Sequence, residues 1–334
     1  MKKLLVSPAP HIHGKESTKG LMRDVIIALT PTLLVSFYFF GFSAIKLAFV
    51  GIIACVLVEF VIQKYITKSK ITVGDYSAAL TGLLLALNLP PSSPWWIVFI
   101  GSVVAIGVAK MSFGGLGQNL FNPALVGRVF LLVSFPVFMT DWTIPESWFL
   151  EGSIDASSGA TALSIVKEGL SRGLTMEQIF DQNNFSYAEM LFSKIGGSVG
   201  EVSALALLFG LAYLLIRRVI RPHIPLSIIG SIAVFSGILW IADSSAYPDP
   251  LFTILTGGIL IGSIFMATDY VTSPMSTRGM IVYGVGIGLL TVLIRSYGAY
   301  PEGISFAILI MNATVPLLNN YFKPKKFGKE VSNG

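Results

Sequence analysis

Residues 155–163 read Asp-Ala-Ser-Ser-Gly-Ala-Thr-Ala-Leu, a run of small side chains leading to the hydroxyl of Thr161. Small neighbours let a bulky group approach that oxygen closely. A phosphate ester at Thr161 would hold a cofactor through a bond that survives denaturation. The same residues also read as an ordinary Ser/Gly turn leading into a helix over residues 162–167. Local sequence alone leaves both readings open.

A second stretch runs Gly114-Gly-Leu-Gly117-Gln-Asn-Leu-Phe-Asn122-Pro123. Its glycines permit tight turns, and Pro123 suits a helix start, where a missing N–H forfeits no partner. This loop would either line a second cofactor or ion site or serve close helix packing. Thr268 and Asp269 stand at the end of an apolar run, in a capping or loop position. Glu59 and Arg128 fall inside apolar runs, where a charge costs about 2.5–3.5 kcal/mol on membrane-insertion scales. Each is expected to pair or snorkel, and Glu59 could alternatively serve an ion pathway. Both read as nearer the cytoplasmic side. His11-Ile-His13 brings two imidazoles without further ligands, so no metal site is expected. The single Cys55 cannot hold an iron–sulfur cluster.

The elements that must position these residues are apolar and long. The chain has 334 residues, 53% hydrophobic and 12% charged, against roughly 25% charged in a soluble domain. A spanning helix needs about 20 mostly apolar residues. Apolar runs cover 25–45, 47–63, 76–89, 95–109 and 120–138, then 202–216, 224–242, 251–268, 280–294 and 304–318. Between the two sets lies a mixed, polar, Gly/Ser-containing stretch. The expected fold is therefore an all-α polytopic membrane protein of about ten transmembrane helices. Its parts are a first five-helix unit within 1–138, an extracytoplasmic loop over 139–201, and a second five-helix unit with a basic tail over 202–334. Runs 76–89 and 95–109 are short for full spans and read as half-helices meeting a cavity.

With the N-terminus inside, most of the 23 lysines and arginines fall on cytoplasmic segments, among them Lys2, Lys3, Lys15, Lys64, Lys68, Lys70, Arg217, Arg218 and Arg221. Lys323, Lys325 and Lys326 follow the last run. This distribution places both termini in the cytoplasm. It is a topology signal rather than a nucleic-acid patch, and no nucleic-acid partner is expected. The five tryptophans then gather at the outer ends, one half of an interfacial belt. Leu80-Thr81-Gly82 and Leu255-Thr256-Gly257 each follow an aspartate, Asp75 and Asp249, in the third run of their half. Five helices per half is an odd number, so such repeats must be inverted in the membrane, as in many transport folds.

The chain resembles the membrane flavin subunits RnfD and NqrB of the Rnf and Na⁺-translocating NADH:quinone reductase complexes. The resemblance covers nearly the whole chain. It rests on Ser7-Pro-Ala-Pro-His11, Gly114 through Ala124, Ser158-Gly159-Ala160-Thr161, and Phe265-Met-Ala-Thr-Asp269-Tyr-Val-Thr-Ser-Pro274, in that order. It implies that Thr161 carries FMN through a phosphoester placed by a flavin transferase. Ser158, Gly159 and Ala160 complete the attachment motif, and Asp155 stands where the transferase's recognition pattern usually has an acid. It also implies that the glycine loop and the segment around Asp269 border a non-covalent riboflavin site in some members. The short chain without NqrB's longer N-terminal extension, and its Pro10-His11 opening, look more like RnfD. The pattern departs slightly at Ala9, which separates Pro8 from Pro10, and at His13, where a basic residue is usual.

The function so implied is that of an electron-transfer subunit in a ferredoxin:NAD⁺ oxidoreductase of the inner (cytoplasmic) membrane, coupling electron flow to Na⁺ or H⁺ translocation. No Gly-rich strand–turn–helix unit for a nucleotide is present. NADH and iron–sulfur chemistry then belong to other subunits, with a second covalent-flavin subunit beside this one, and no catalytic residue is expected here. Two alternatives stay open: a passive channel or solute transporter of five-plus-five type without a redox cofactor, and the quinone-reducing relative NqrB. The Ser-Gly-Ala-Thr loop distinguishes the first, since a plain transporter has no use for it.

Overall fold

The computed structural model describes residues 17–143, 158–192 and 196–323. The protein is helical, and its ten apolar runs take three forms. Among the described residues six helices are long and apolar enough to cross a membrane: Thr18–Phe40, Phe42–Ile66, Trp95–Phe113, His223–Ala242, Thr277–Tyr297 and Ile304–Tyr321. Three apolar helices are shorter: Ser77–Leu87, Pro123–Ser134 and Ala204–Ile216. The tenth run, 251–268, is interrupted.

In chain order α1 is Thr18–Phe40 and α2 is Phe42–Val61, extended by a π-helical turn over Ile62–Ile66. The boundary between them lies at Gly41, with φ 58°, and not beside Lys46 as the run of charges suggested. A left-handed glycine ends a helix within one residue, so no polar loop marks the junction. α3 is Ser77–Leu87, α4 is Trp95–Val103 with a π-helical continuation over Val104–Lys110, and α5 is Pro123–Ser134. Pro136 opens a separate short helix, α6, Pro136–Thr140. The run 120–138 is therefore two elements, because Pro136 cannot supply the N–H that would continue α5.

Three helices fill the described part of the polar stretch: α7 Ala162–Ser171, α8 Met176–Asn183 and α9 Tyr187–Phe192. Ala162, Leu163, Val166, Met176, Ile179 and Met190 bury a small core of their own against Phe252. The rings of Phe180 and Phe185 pack on Phe252 at 5.2 and 6.0 Å between centroids. The stretch is thus a helical layer fastened onto the second half of the chain.

That second half contains α10 Ala204–Ile216, α11 His223–Ala242, the pair α12 Pro250–Leu255 and α13 Ile259–Ile261, α14 Thr277–Tyr297 and α15 Ile304–Tyr321. The expected single helix over 251–268 stops at Thr256, crosses Gly257 and Gly258 with φ 66° and 72°, and resumes as α13 with a π-helical turn to Met266. Two successive left-handed residues cannot continue a right-handed helix. Leu80-Thr81-Gly82, by contrast, lies inside the unbroken α3, so the two similar triplets do different structural work. Both aspartates bind a backbone N–H at a helix start: Asp75, one residue ahead of the α3 N-cap Tyr76, accepts from the Ser77 N–H at 2.8 Å, and Asp249, the N-cap of α12, from the Phe252 N–H at 2.6 Å.

The lateral faces carry exposed apolar side chains, such as Phe42, Phe209, Leu226 and Ile241. Inside, α1 packs on α10, α2 on α3 and α4, α11 on α14, and α5 on α15. At the α2–α3 contact the backbones of Gly51 and Gly82 touch, and a Cβ on Gly82 would overlap the Gly51 carbonyl. Such small-residue contacts are how apolar helices associate without a hydrophobic driving force between them. Gly82→Leu is expected to destabilise the protein by about 1–3 kcal/mol or more through overpacking. Thermal unfolding in detergent would check this; an unchanged midpoint would contradict the contact.

Candidate functional site

Polar side chains are buried at both ends of the helix bundle. At the first end, the ammonium of Lys110 donates to Glu59 at 2.6 Å and to the Ser77 hydroxyl at 2.6 Å. Glu59 is 1% exposed and Lys110 2%. Gln63 adds a hydrogen bond to Glu59 at 3.1 Å. Lys110 ends the π-helical continuation of α4 and pairs with the buried carboxylate.

Beside this pair lies a cavity of about 70 Å³, lined by Ser77, Thr81, Lys110, Asn119, Asn122 and Asp269 among others. The glycine loop supplies one wall. Asn122 caps α5, accepting from the N–H groups of Ala124 and Leu125 at 3.0 and 3.3 Å, and its amide donates to the Met266 carbonyl at 3.1 Å. It thereby ties the first half to the end of the broken helix. Asn119 donates to the Phe121 carbonyl at 3.1 Å, while its buried amide oxygen has no partner among the described residues. A buried acceptor left without a donor is costly, so this cavity suits a ligand that brings a donor.

At the second end Arg128 donates to Glu302 and Ser305, and to the Asn88 carbonyl at 3.2 Å. The sequence placed Arg128 near the same side as Glu59; the structure turns it to the opposite end, toward the residue that precedes α15. Around this pair gather Glu201 and Arg295, which sequence reasoning missed. Glu201 belongs to the turn Val199–Glu201 ahead of α10 and accepts from the Ser198 hydroxyl at 2.6 Å. Arg295 donates to the carbonyls of Thr253, Thr256 and Gly257 at 2.8, 2.8 and 2.9 Å. These are the carbonyls released where α12 ends, so the guanidinium replaces the missing helical turn.

Burial, then the charge of Glu302, push the Glu201 carboxyl up to about 7; Arg128, Ser198 and Arg295 pull the other way. A raised carboxyl stabilises the fold fully below its ordinary value of 4.5, and that stabilisation is lost as pH rises through about 7. The unfolding temperature should therefore fall across that window in wild type and fall less in Glu201→Gln. Equal slopes for the two proteins would contradict this.

Thr161 meets this second cluster directly. With Glu201, Thr256, Gly257 and Glu302 it lines a small void. Ser158 and Gly159 form a two-residue strand paired with Thr143 and Trp142 rather than a turn. Ala160 follows, and Thr161 is the N-cap of α7. Its hydroxyl accepts from the Ser164 N–H at 3.1 Å and shares a 2.8 Å hydrogen bond with the Ser164 hydroxyl. Thr161 is 6% exposed. Asp155, like Ser7 to His11 and His13, lies outside the described residues. A phosphate esterified here would sit at a helix N-terminus, among free N–H groups and the positive end of the helix dipole. The N-terminus of α7 suits a phosphate-bearing group, while the void beside Thr161, about 10 Å³ and lined by Glu201 and Glu302, would have to widen to admit it. Among the described residues no cluster of three or more His, Cys, Asp or Glu side chains is arranged to hold a metal.

A model of the NQR2, RnfD, RnfE family matches residues 5–328. The chain belongs to that family. It is 43% identical over 327 residues to the D subunit of the Na(+)-translocating ferredoxin:NAD(+) oxidoreductase complex of Acetobacterium woodii, covering 97% of this chain and 95% of that one. It is 41% identical over 324 residues to the D subunit of the proton-translocating ferredoxin:NAD(+) oxidoreductase complex of Clostridium ljungdahlii, covering 97% and 96%. A third relative, the D subunit of the ion-translocating oxidoreductase complex of Aliivibrio salmonicida, is 36% identical over 353 residues, covering 97% and 98%. Within the family the chain is most like RnfD; the first of these relatives is named for Na⁺ translocation, the second for proton translocation and the third for ion translocation without the ion specified.

Proposed function

We propose that this protein is the membrane-embedded, electron-carrying subunit of an Rnf-type ion-translocating ferredoxin:NAD⁺ oxidoreductase, with FMN joined to Thr161 by a phosphoester. The observation that carries this reading is Thr161 itself: a hydroxyl at the N-terminus of α7, in a chain similar over 97% of its length to the D subunit of such a complex. Bound FMN supplies reversible electron transfer. Ser164, whose hydroxyl already lies 2.8 Å from the Thr161 oxygen, hydrogen-bonds the ester phosphate. Free N–H groups in the first turn of α7 orient that phosphate. Asp155 serves the flavin transferase that makes the bond.

A second, non-covalent flavin of the riboflavin type would enter at the Lys110 end only if the cavity there, about 70 Å³, widened toward the roughly 300–1,000 Å³ of small-molecule sites. Asn119 offers it an acceptor without a partner among the described residues, and Asn122 and Asp269 flank it. The helices form two inverted five-helix repeats. Supporting this, α1 packs on its counterpart α10 and α5 on its counterpart α15, while α2 meets α4 as α11 meets α14. Both termini lie in the cytoplasm, and the Thr161 layer faces the outside of the inner membrane. The partners are the other membrane and peripheral Rnf subunits, including a second covalent-flavin subunit and those that handle NADH and iron–sulfur clusters. The ion is Na⁺ or H⁺.

The test is ultraviolet illumination of the denatured wild-type band, made with and without a flavin transferase. Yellow-green fluorescence that requires the transferase supports the redox reading. A dark band, with the transferase active on another substrate, favours a plain transporter.

A further inference from the structure

We propose that the cavity between α7, the adjoining ends of α11 and α14, and the Tyr247-Pro248 segment seats the isoalloxazine ring of the flavin on Thr161. This rests on the reading of Thr161 as the attachment residue and extends it to where the ring lies. The cavity measures about 400 Å³, within the roughly 300–1,000 Å³ range of small-molecule sites. Helix α7 contributes Leu163, Val166, Lys167 and Leu170 to it. Those four positions form one face of the helix that Thr161 caps.

The reach is right. Helical rise of about 1.5 Å per residue puts Lys167 roughly 9 Å along α7 from Thr161. A phosphate and an extended ribityl chain cover a comparable length, so the ester at the cap and the ring in the cavity are mutually compatible. Leu163 lines both this cavity and the void beside Thr161, so a single side chain stands between them.

The chemistry of the walls matches the two ends of the ring. Apolar side chains such as Leu163, Val166 and Leu239 offer a surface for the dimethylbenzene end. Two cations offer the electron-rich pyrimidine edge its complement. Lys167 is held by the carbonyls of Gly298 and Ala299, the latter at 3.0 Å. Arg295 spends its terminal nitrogens on α12, while its buried Nε–H has no acceptor among the described residues. A flavin carbonyl in the cavity would supply one. The proposed function uses neither side chain, and neither lies on a face that the Thr161 ester alone would need.

The test is iodide quenching of flavin fluorescence in the full-length, transferase-modified protein. Wild type should be quenched several-fold less steeply when native than when denatured. Leu170→Trp, which fills the cavity, should raise native quenching toward the denatured value; Gln182→Trp, on an exposed face of α8, should leave it unchanged. Native wild type as accessible as the denatured chain, or indifference to Leu170→Trp, overturns the seat. Loss of flavin from denatured wild type would instead sink the attachment at Thr161. Should Leu170→Trp fail to fold, Lys167→Met decides: removal of the charge should move the flavin's reduction midpoint to lower potential, and an unchanged midpoint overturns the proposal.

Discussion

Thr161→Ala, made beside a flavin transferase, is expected to fold normally and to lose all covalent flavin. The substitution removes the α7 N-cap, in which the Thr161 oxygen accepts from Ser164 at 3.1 Å. Loss of such a cap costs about 0.5–2 kcal/mol, small beside the stability of a bundle with this much buried surface. It also removes the oxygen proposed to carry the ester. Thr161→Ser keeps both the cap and a hydroxyl, so it should fold as well as wild type and retain part of the flavin. The readout is flavin fluorescence per mole of denatured protein, compared with the circular dichroism melting curve of each variant. Undiminished flavin in Thr161→Ala would move the attachment elsewhere.

Lys110→Met is expected to destabilise the protein by about 3–5 kcal/mol, because it strands a buried carboxylate. Glu59 is 1% exposed and its charge is balanced by the Lys110 ammonium at 2.6 Å. Gln63 and Ser77 extend the network but bring no positive charge. The double variant Glu59→Gln with Lys110→Met should recover most of the loss, since replacing a buried pair as a unit is often close to neutral. Unfolding in mixed micelles across the four proteins measures the coupling. A single variant as stable as wild type would mean that Glu59 has another cation or is not ionised.

The apolar runs and the helix that Thr161 opens were legible, and the reasons differ. Membrane helices announce themselves by length and lack of charge, so most runs map onto single helices within a few residues. Thr161 stands before good helix formers, the ordinary sign of an N-cap, and the helix expected over residues 162–167 extends to Ser171. The break at Gly257 and Gly258 was not legible, because glycine is also the usual packing residue of membrane helices; only the left-handed φ values separate the two uses. Nor could a linear reading join Arg128 to Glu302, 174 positions apart, or Lys110 to Glu59, 51 apart. Nothing in the local sequence singled out Glu201 or Arg295. Their signal is the pair of glycines itself, since an interrupted helix leaves carbonyls that call for a cation.

The central claim is a flavin phosphoester on Thr161, and peptide mass spectrometry of the transferase-modified wild type tests it most directly. The peptide spanning Ser158 to Lys167 should carry the added mass of FMN less one water, with fragment ions placing the increment on Thr161. Full recovery of that peptide without the increment, from protein made with an active transferase, would contradict the account.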